Sequence, residues 1–248
     1  MKKIILYPLI VFSMLAHSQT IDQFKFMSED FPPYNYRVDG KPTGSSVEVF
    51  QLMLNHLKSK KTLNDITFYP WARSYSILLN EPNSMLFVVT RTETREKLFK
   101  WVGPISKASN VIIGKKEVVF NPNSKVELER SNYCIVKNDA AGQLLKEKLG
   151  ISDSKLFEVS EPKVCLQMLS ADRVHFFAYD LNVAKFLMKE LKEDLNKYES
   201  KFSLSEGEHY FAFHKGTSDN LINELQKTLN QIKKSKDFEL IKKKYFEK

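Results

Sequence analysis

Short apolar runs alternate with helix-period patterns along almost the whole of this chain, and the alternation is completed twice. In the first series Phe24 to Ser28, Ile66 to Tyr69 and Met85 to Val89 read as strands. Between them lie a helix from Ser46 to Leu57, with Val47, Phe50, Leu54 and Leu57 on one stripe, and a helix from Ala72 to Leu79. In the second series Ser109 to Lys115 is extended, and Tyr133 to Lys137, Phe157 to Val159 and Val174 to Ala178 are strands. Their helices are Ala140 to Leu149, capped by Asp139, then about Glu161 to Ala171, then Val183 to Leu191. His209 to His214 adds a strand, and Asn220 to Phe246 is helical with a break near Ser235. Neighbouring parallel strands need a crossover helix, so the pattern predicts an α/β fold of mainly parallel sheets flanked by helices. No low-complexity linker separates the two series, which makes them two lobes of one body.

The N-terminus sets the compartment. Met1-Lys2-Lys3 is basic, Ile4 to Ala16 is almost wholly apolar, and Ala16-His17-Ser18 puts small residues where a signal peptidase reads. Residues 1–18 are therefore expected to be a secretory signal peptide. The apolar run of about 13 residues falls short of the roughly 20 needed to span a bilayer. No Cys follows it for lipidation, so the expected product is soluble, periplasmic and unanchored, beginning near Gln19.

Net charge is +8 over the full chain. The excess sits in Lys-rich helical stretches such as Lys233 to Lys244, a solvated face; nucleic-acid binding would interleave basic and aromatic residues on one surface. Cys134 and Cys165 are the only cysteines. Export permits a disulfide between them, and two buried thiols fit the same strand and helix. The five histidines show no metal-ligand spacing, and no G-x-S-x-G, P-loop or G-x-G-x-x-G is present. No metal or cofactor is expected.

The stretch FVVTRTETREKLFKWVGPI (87–105) runs from an apolar strand through Thr92-x-x-Arg95 into an aromatic strand. A hydroxyl and a guanidinium three residues apart, beside free N–H groups at a helix start, suit a carboxylate. By itself the motif reads equally as a surface arginine in an ordinary turn.

Four motifs in order give the chain a family resemblance. FPPYNY with DGKPTGSSVEVF (31–36 and 39–50), TETR (92–95), DRVHFFAYD (172–180) and HYFAFHKG before a long helix resemble the periplasmic solute-binding proteins of family 3, the polar amino-acid class serving ABC importers. The resemblance spans essentially all of the chain after residue 18. It implies a two-lobed fold (type II) with a ligand cleft between lobes and no catalytic residues. It places lobe 1 at 19–107, lobe 2 at 108–205 and a segment closing lobe 1 at 206–248, with crossings near Ser106 to Asn110 and Ser203 to Glu208. It also implies that Arg95 and Thr92, helped by Thr90, take a ligand carboxylate and that Asp180 from the other lobe takes the ammonium. Asp180 reads equally as a helix N-cap. Phe31 resembles the stacking aromatic, with Trp71 as a second wall, and both also read as core. Glu29, Arg73 and Tyr75 would line the specificity end, or Arg73 would be solvated.

Two departures stand out. Asn138-Asp139-Ala140-Ala141 replaces a Gly-Thr-rich turn, so Asp139 and Ala140 bring an acid and backbone N–H groups where a hydroxyl is usual. Val88 replaces a small hydroxyl residue.

The expected function is a monomeric receptor that captures an amino acid or close analogue and presents it to an ABC permease of the inner membrane. The alternatives are a sensor with the same cleft and a dehydratase-like enzyme using Glu29 or His175 as acid or base, although His175 sits in an apolar strand and reads as a core histidine.

Overall fold

The computed structural model describes residues 19–247; the expected signal peptide lies outside the described residues. Strand β1 (Lys25–Ser28) is followed by a small hairpin, β2 (Tyr36–Val38) and β3 (Lys41–Thr43), and by helix α1 (Ser45–His56). Then come β4 (Ile66–Phe68), α2 (Trp71–Asn80), β5 (Ser84–Thr90) and the long strand β6 (Phe99–Lys115). The second half holds α3 (Lys125–Arg130), β7 (Tyr133–Val136), α4 (Ala140–Leu149), β8 (Leu156–Val159), α5 (Pro162–Ser170), β9 (Phe176–Asp180) and α6 (Leu181–Glu190). A second long strand, β10 (Tyr198–His214), leads to α7 (Asp219–Ile232) and α8 (Lys236–Phe246). No described helix is long and apolar enough to cross a membrane.

The sheet order is β4-β1-β5-β10-β6-β9-β7-β8. Strands pair in parallel within β4-β1-β5 and within β9-β7-β8, and antiparallel where β10 and β6 join these two groups. The two α/β halves of the expected α/β fold are therefore present, but one hydrogen-bond ladder runs through both, because β6 and β10 are each 17 residues long and belong to both halves. β5 pairs with β10 only from His209 onward, whereas β9 pairs with β6 only from Asn110 onward. Between those points the two long strands have only each other, through Lys107, Ala108 and Ser109 opposite Glu208, Gly207 and Glu206.

Phe26, Phe50, Phe87 and Phe211 build the first half's core, with ring centroids 4.9–5.6 Å apart. A separate cluster of Ile112, Tyr133, Ile135, Leu145, Phe176 and Leu204 fills one face of the second half. Gly44, at φ +120, caps α1; a Cβ there would lie 2.3 Å from the Tyr34 carbonyl, so only glycine lets the aromatic-Pro turn close onto the helix start. Cys134 on β7 and Cys165 on α5 are bonded, with Cα atoms 5.4 Å apart.

Candidate functional site

Arg95 is the centre of the site. It follows β5 in a single turn whose backbone N–H donates to the Thr92 carbonyl, and it is 1% exposed. Its Nη2 donates to the Asn138 carbonyl (2.9 Å), its Nε to Gln143 Oε1 (3.1 Å) and its Nη1 weakly to the Thr90 carbonyl (3.4 Å). The guanidinium lies over Trp71 and Tyr75, 5.4 and 5.1 Å from their ring centroids. Trp71 Nε1 donates to the same Asn138 carbonyl at 2.9 Å. Two donors from the first half thus converge on one carbonyl of the second. Asn138 presents it from a left-handed backbone (φ 61), a conformation asparagine tolerates better than most residues. Burial pulls Arg95 down from the ordinary arginine range, while Asp139, Tyr75 and Glu29 pull it back.

Asp139 caps α4, accepting from the Ala141 N–H at 2.9 Å, and Ala140 is buried behind it. Burial raises the Asp139 carboxyl above its usual range against the pull of Arg95 and the helix N–H groups. The N-terminus of α4 is therefore closed by its own carboxylate.

Beside this contact lies a chamber of about 540 Å³ between the halves. Glu29, Asp30, Pro32, Tyr36, Arg37 and Gly40 with the Phe68–Trp71 stretch line one side, and Ser160–Lys163 with Leu187 and Glu190 line the other. Glu29 enters it at 8% exposure, and its carboxyl has no hydrogen-bond or ion-pair partner among the described residues. Burial, then Asp139 and Asp30, push that carboxyl well above the carboxylate range, with Arg95 opposing.

Asp180 lies elsewhere, at the junction of the long strands. Its Oδ1 accepts from the Asn182 and Val183 N–H groups (3.0 and 3.1 Å), capping α6, and its Oδ2 accepts from the Ser109 N–H of β6 (3.1 Å). Burial holds it up to about 7. His209 of β10 brings Nε2 to 3.9 Å from that Oδ2 and shares a hydrogen bond with Ser106 through Nδ1 (3.0 Å); burial holds it down to about 3. Tyr34 OH accepts from Asn182 Nδ2 (3.0 Å) and donates to the Lys107 carbonyl (3.2 Å), tying α6 to the same junction.

The candidate residues thus separate into groups. Arg95, the Thr90 carbonyl, Trp71, Tyr75, Asp139 and Ala140 come together, and Glu29 shares the chamber with Trp71. Phe31 stacks on Tyr34 and meets Tyr179 and His209 edge-on, inside the core cluster and away from the chamber lining. The Thr92 hydroxyl faces Thr94 (3.0 Å) rather than Arg95. Arg73 is exposed and lies over Tyr69 (4.4 Å). His175 is not a core histidine: it stands exposed just before β9, where its Nδ1 accepts from the Asn132 N–H at 3.0 Å, remote from the chamber. Gln143, Asn182 and His209 were not among the site residues read from the sequence. Gln143 was discoverable in principle, one turn beyond Ala140 on the same helix face; for His209 no local signal exists.

The architecture defines the class. A histidine kinase sensor domain with similarity to periplasmic binding proteins superposes with a TM-score of 0.76 at 17% identity, over 91% of this chain and 98% of that one. The P235GK mutant of ArgBP from T. maritima gives 0.74 at 17%, over 91% and 96%. The ancestral amino acid-binding protein AncCDT-1, a precursor of cyclohexadienyl dehydratase, gives 0.71 at 19%, over 91% and 96%. At such identities the likeness establishes the fold, that of the two-lobed periplasmic binding proteins. No curated protein sequence matches the chain. The family model of the bacterial extracellular solute-binding proteins, family 3, matches residues 26–248, and the chain belongs to that family.

Proposed function

We propose that this protein is a monomeric periplasmic receptor, exported by its N-terminal signal sequence, that closes two lobes over a small charged solute, an amino acid or close analogue, and presents it to an ABC importer. The observation that carries the reading is the pair of Arg95 and Trp71 reaching across to one carbonyl, that of Asn138, beside a chamber lined from both halves. The hinge falls where β6 and β10 lose their outer partners, at Lys107–Ser109 and Glu206–Glu208. Contacts made only across a closed cleft let a ligand shift an open–closed equilibrium. The amino-acid class is supported by family membership and by relatives described as binding amino acids. An enzyme would need an acid–base pair poised over the solute; the chamber presents one buried acid, Glu29, and His175 lies outside it. The test is a thermal-shift screen of ligand-stripped protein with the bound solute recovered by mass spectrometry. A ligand at a hundredfold excess over Kd stabilises the native state by about 2.7 kcal/mol. A solute recovered unchanged supports the receptor, and conversion overturns it in favour of an enzyme.

A further inference from the structure

We infer that the chamber takes an organic cation carrying no carboxylate, with Glu29 as its counter-ion; this narrows the receptor reading and rests on it. Six charged side chains line the chamber. Arg37 holds Asp30 through Nε and Nη2 at 3.2 and 2.5 Å, and Lys163 holds Glu190 at 2.9 Å. Glu29 and Glu161 remain, neither with a cationic partner among the described residues, so the lining carries an excess of two carboxyl groups. Glu161 is exposed and has water. Glu29 is 8% exposed, and among the described residues no cation pairs with its carboxyl and no donor is hydrogen-bonded to it, Arg95 acting on it only from a distance. Burying an ionised carboxylate without a partner is costly, and an ammonium or guanidinium entering the chamber removes that cost. Of the four aromatic walls, Trp71, Tyr69 and Phe68 already lie under Arg95, Arg73 and Arg37 (5.4, 4.4 and 4.9 Å), and Tyr36 is the one with no protein cation over it among the described residues, a ring that can face a bound cation.

The same geometry leaves a carboxylate unserved. Arg95 does not line the chamber, and its Nε and Nη2 already donate to Gln143 and Asn138. The α4 N-terminus, the other anion-binding element nearby, has its own Asp139 as cap. The two cationic side chains that do line the chamber are spent on Asp30 and Glu190. An anionic group would therefore find an acidic lining and hydroxyl donors at most, those of Tyr36, Tyr69 and Ser160, with no unpaired cationic side chain among the described lining residues, while the Asn138 carbonyl occupies Nη2 of Arg95.

The test is isothermal titration of the ligand-stripped full chain, disulfide intact, with matched pairs that differ only by a carboxylate: agmatine and arginine, cadaverine and lysine, putrescine and ornithine, tyramine and tyrosine. Glutamate and glutamine serve as carboxylate-bearing controls. The amine of at least one pair is expected to bind, and at least tenfold more tightly than its amino acid. Glu29→Gln is expected to weaken that amine by about ten- to a hundredfold, the worth of one hydrogen bond to a charged group. Glu161→Gln, at the exposed rim, should weaken it only a few-fold. If Glu29→Gln fails to fold, the amine-to-amino-acid ratio in the unaltered protein still decides. An amino acid binding as tightly as its amine, or tight glutamate or glutamine binding, overturns the inference and leaves the receptor standing. Failure of every solute in this panel and in the wider screen overturns the receptor reading, and the inference with it.

Discussion

Reducing the Cys134–Cys165 bond should cost much of the second half's stability, and the size of the loss follows from chain entropy. The bridge closes a loop with a sequence separation of 31, and both cysteines are fully buried, Cys134 on β7 and Cys165 on α5. Cross-linking a loop of that length removes denatured-state entropy worth roughly 3.5–4 kcal/mol at 25 °C. In a protein of this size each kcal/mol shifts Tm by about 2–4 °C, so reduction should lower Tm by about 8–15 °C. Reduction is a cleaner perturbation than double substitution, because the thiols keep nearly the same buried volume and no cavity term is added. The assay is circular dichroism melting with and without a phosphine reductant, with thiols counted under denaturing conditions before and after. A Tm change under about 3 °C after complete reduction would refute the entropic argument. Two titratable thiols in the unreduced, denatured protein would refute the bridge itself.

Further outcomes follow from the site. Arg95→Ala removes two charge-assisted bonds across the cleft, each worth about 1.5–3 kcal/mol. The variant should keep its far-UV spectrum while its closed population falls at least about tenfold, seen as a larger radius in small-angle scattering; an unchanged radius would remove Arg95 as the closing contact. Trp71→Phe deletes the Nε1 donor to Asn138 together with part of the buried ring system under Arg95 and should shift the same equilibrium toward the open state by at least about 1 kcal/mol. At the strand junction two buried groups work in opposite senses. Asp180, held up to about 7 from 3.8, contributes stability that is full below 3.8 and lost as pH rises through 7. His209, held down to about 3 from 6.5, contributes stability that is present above 6.5 and lost as pH falls through 3. Relative to the unaltered protein, between about pH 4 and 6.5, His209→Gln should make stability fall more steeply with rising pH, and Asp180→Asn should make it rise; urea midpoints across that window check both signs.

Much of the scaffold was legible because hydrophobic period reports one-sided burial. The α1 stripe of Val47, Phe50 and Leu54 packs inward, and the three strands of the first half lie where the apolar runs placed them. Ser218 and Ser235 cap α7 and α8 through their hydroxyls, which explains the break read near Ser235. The long strands were less legible. The stretch from Tyr198 to Glu208 is rich in Ser, Glu and Lys and only Tyr198 and Leu204 in it are buried, so its pairing with β6 comes from the ladder and not from local apolarity. Hairpin β2–β3 and helix α3 were missed because few of their residues are buried and no period shows.

The site divides along the same line. Arg95 was visible as a Thr-x-x-Arg turn, but its partners are a backbone carbonyl and a glutamine brought from 43 and 48 residues away, and no local pattern encodes them. Asp180 was visible both as a ligand group and as a cap; the structure gives it three backbone N–H partners, one of them on β6. The excess acid of the chamber could not be read in advance, since it depends on which of six charges pair with one another once folded.

The most direct measurement is a crystal structure of the protein grown with the tightest-binding amine of the matched pairs and, separately, with its amino acid. The amine should lie in the chamber between the halves, with a ligand nitrogen within hydrogen-bond distance of the Glu29 carboxyl and the Asn138 carbonyl still on Arg95 and Trp71. The amino acid bound with its carboxylate on Arg95 and the Asn138 carbonyl displaced, or a ligand bound outside the chamber, would contradict this.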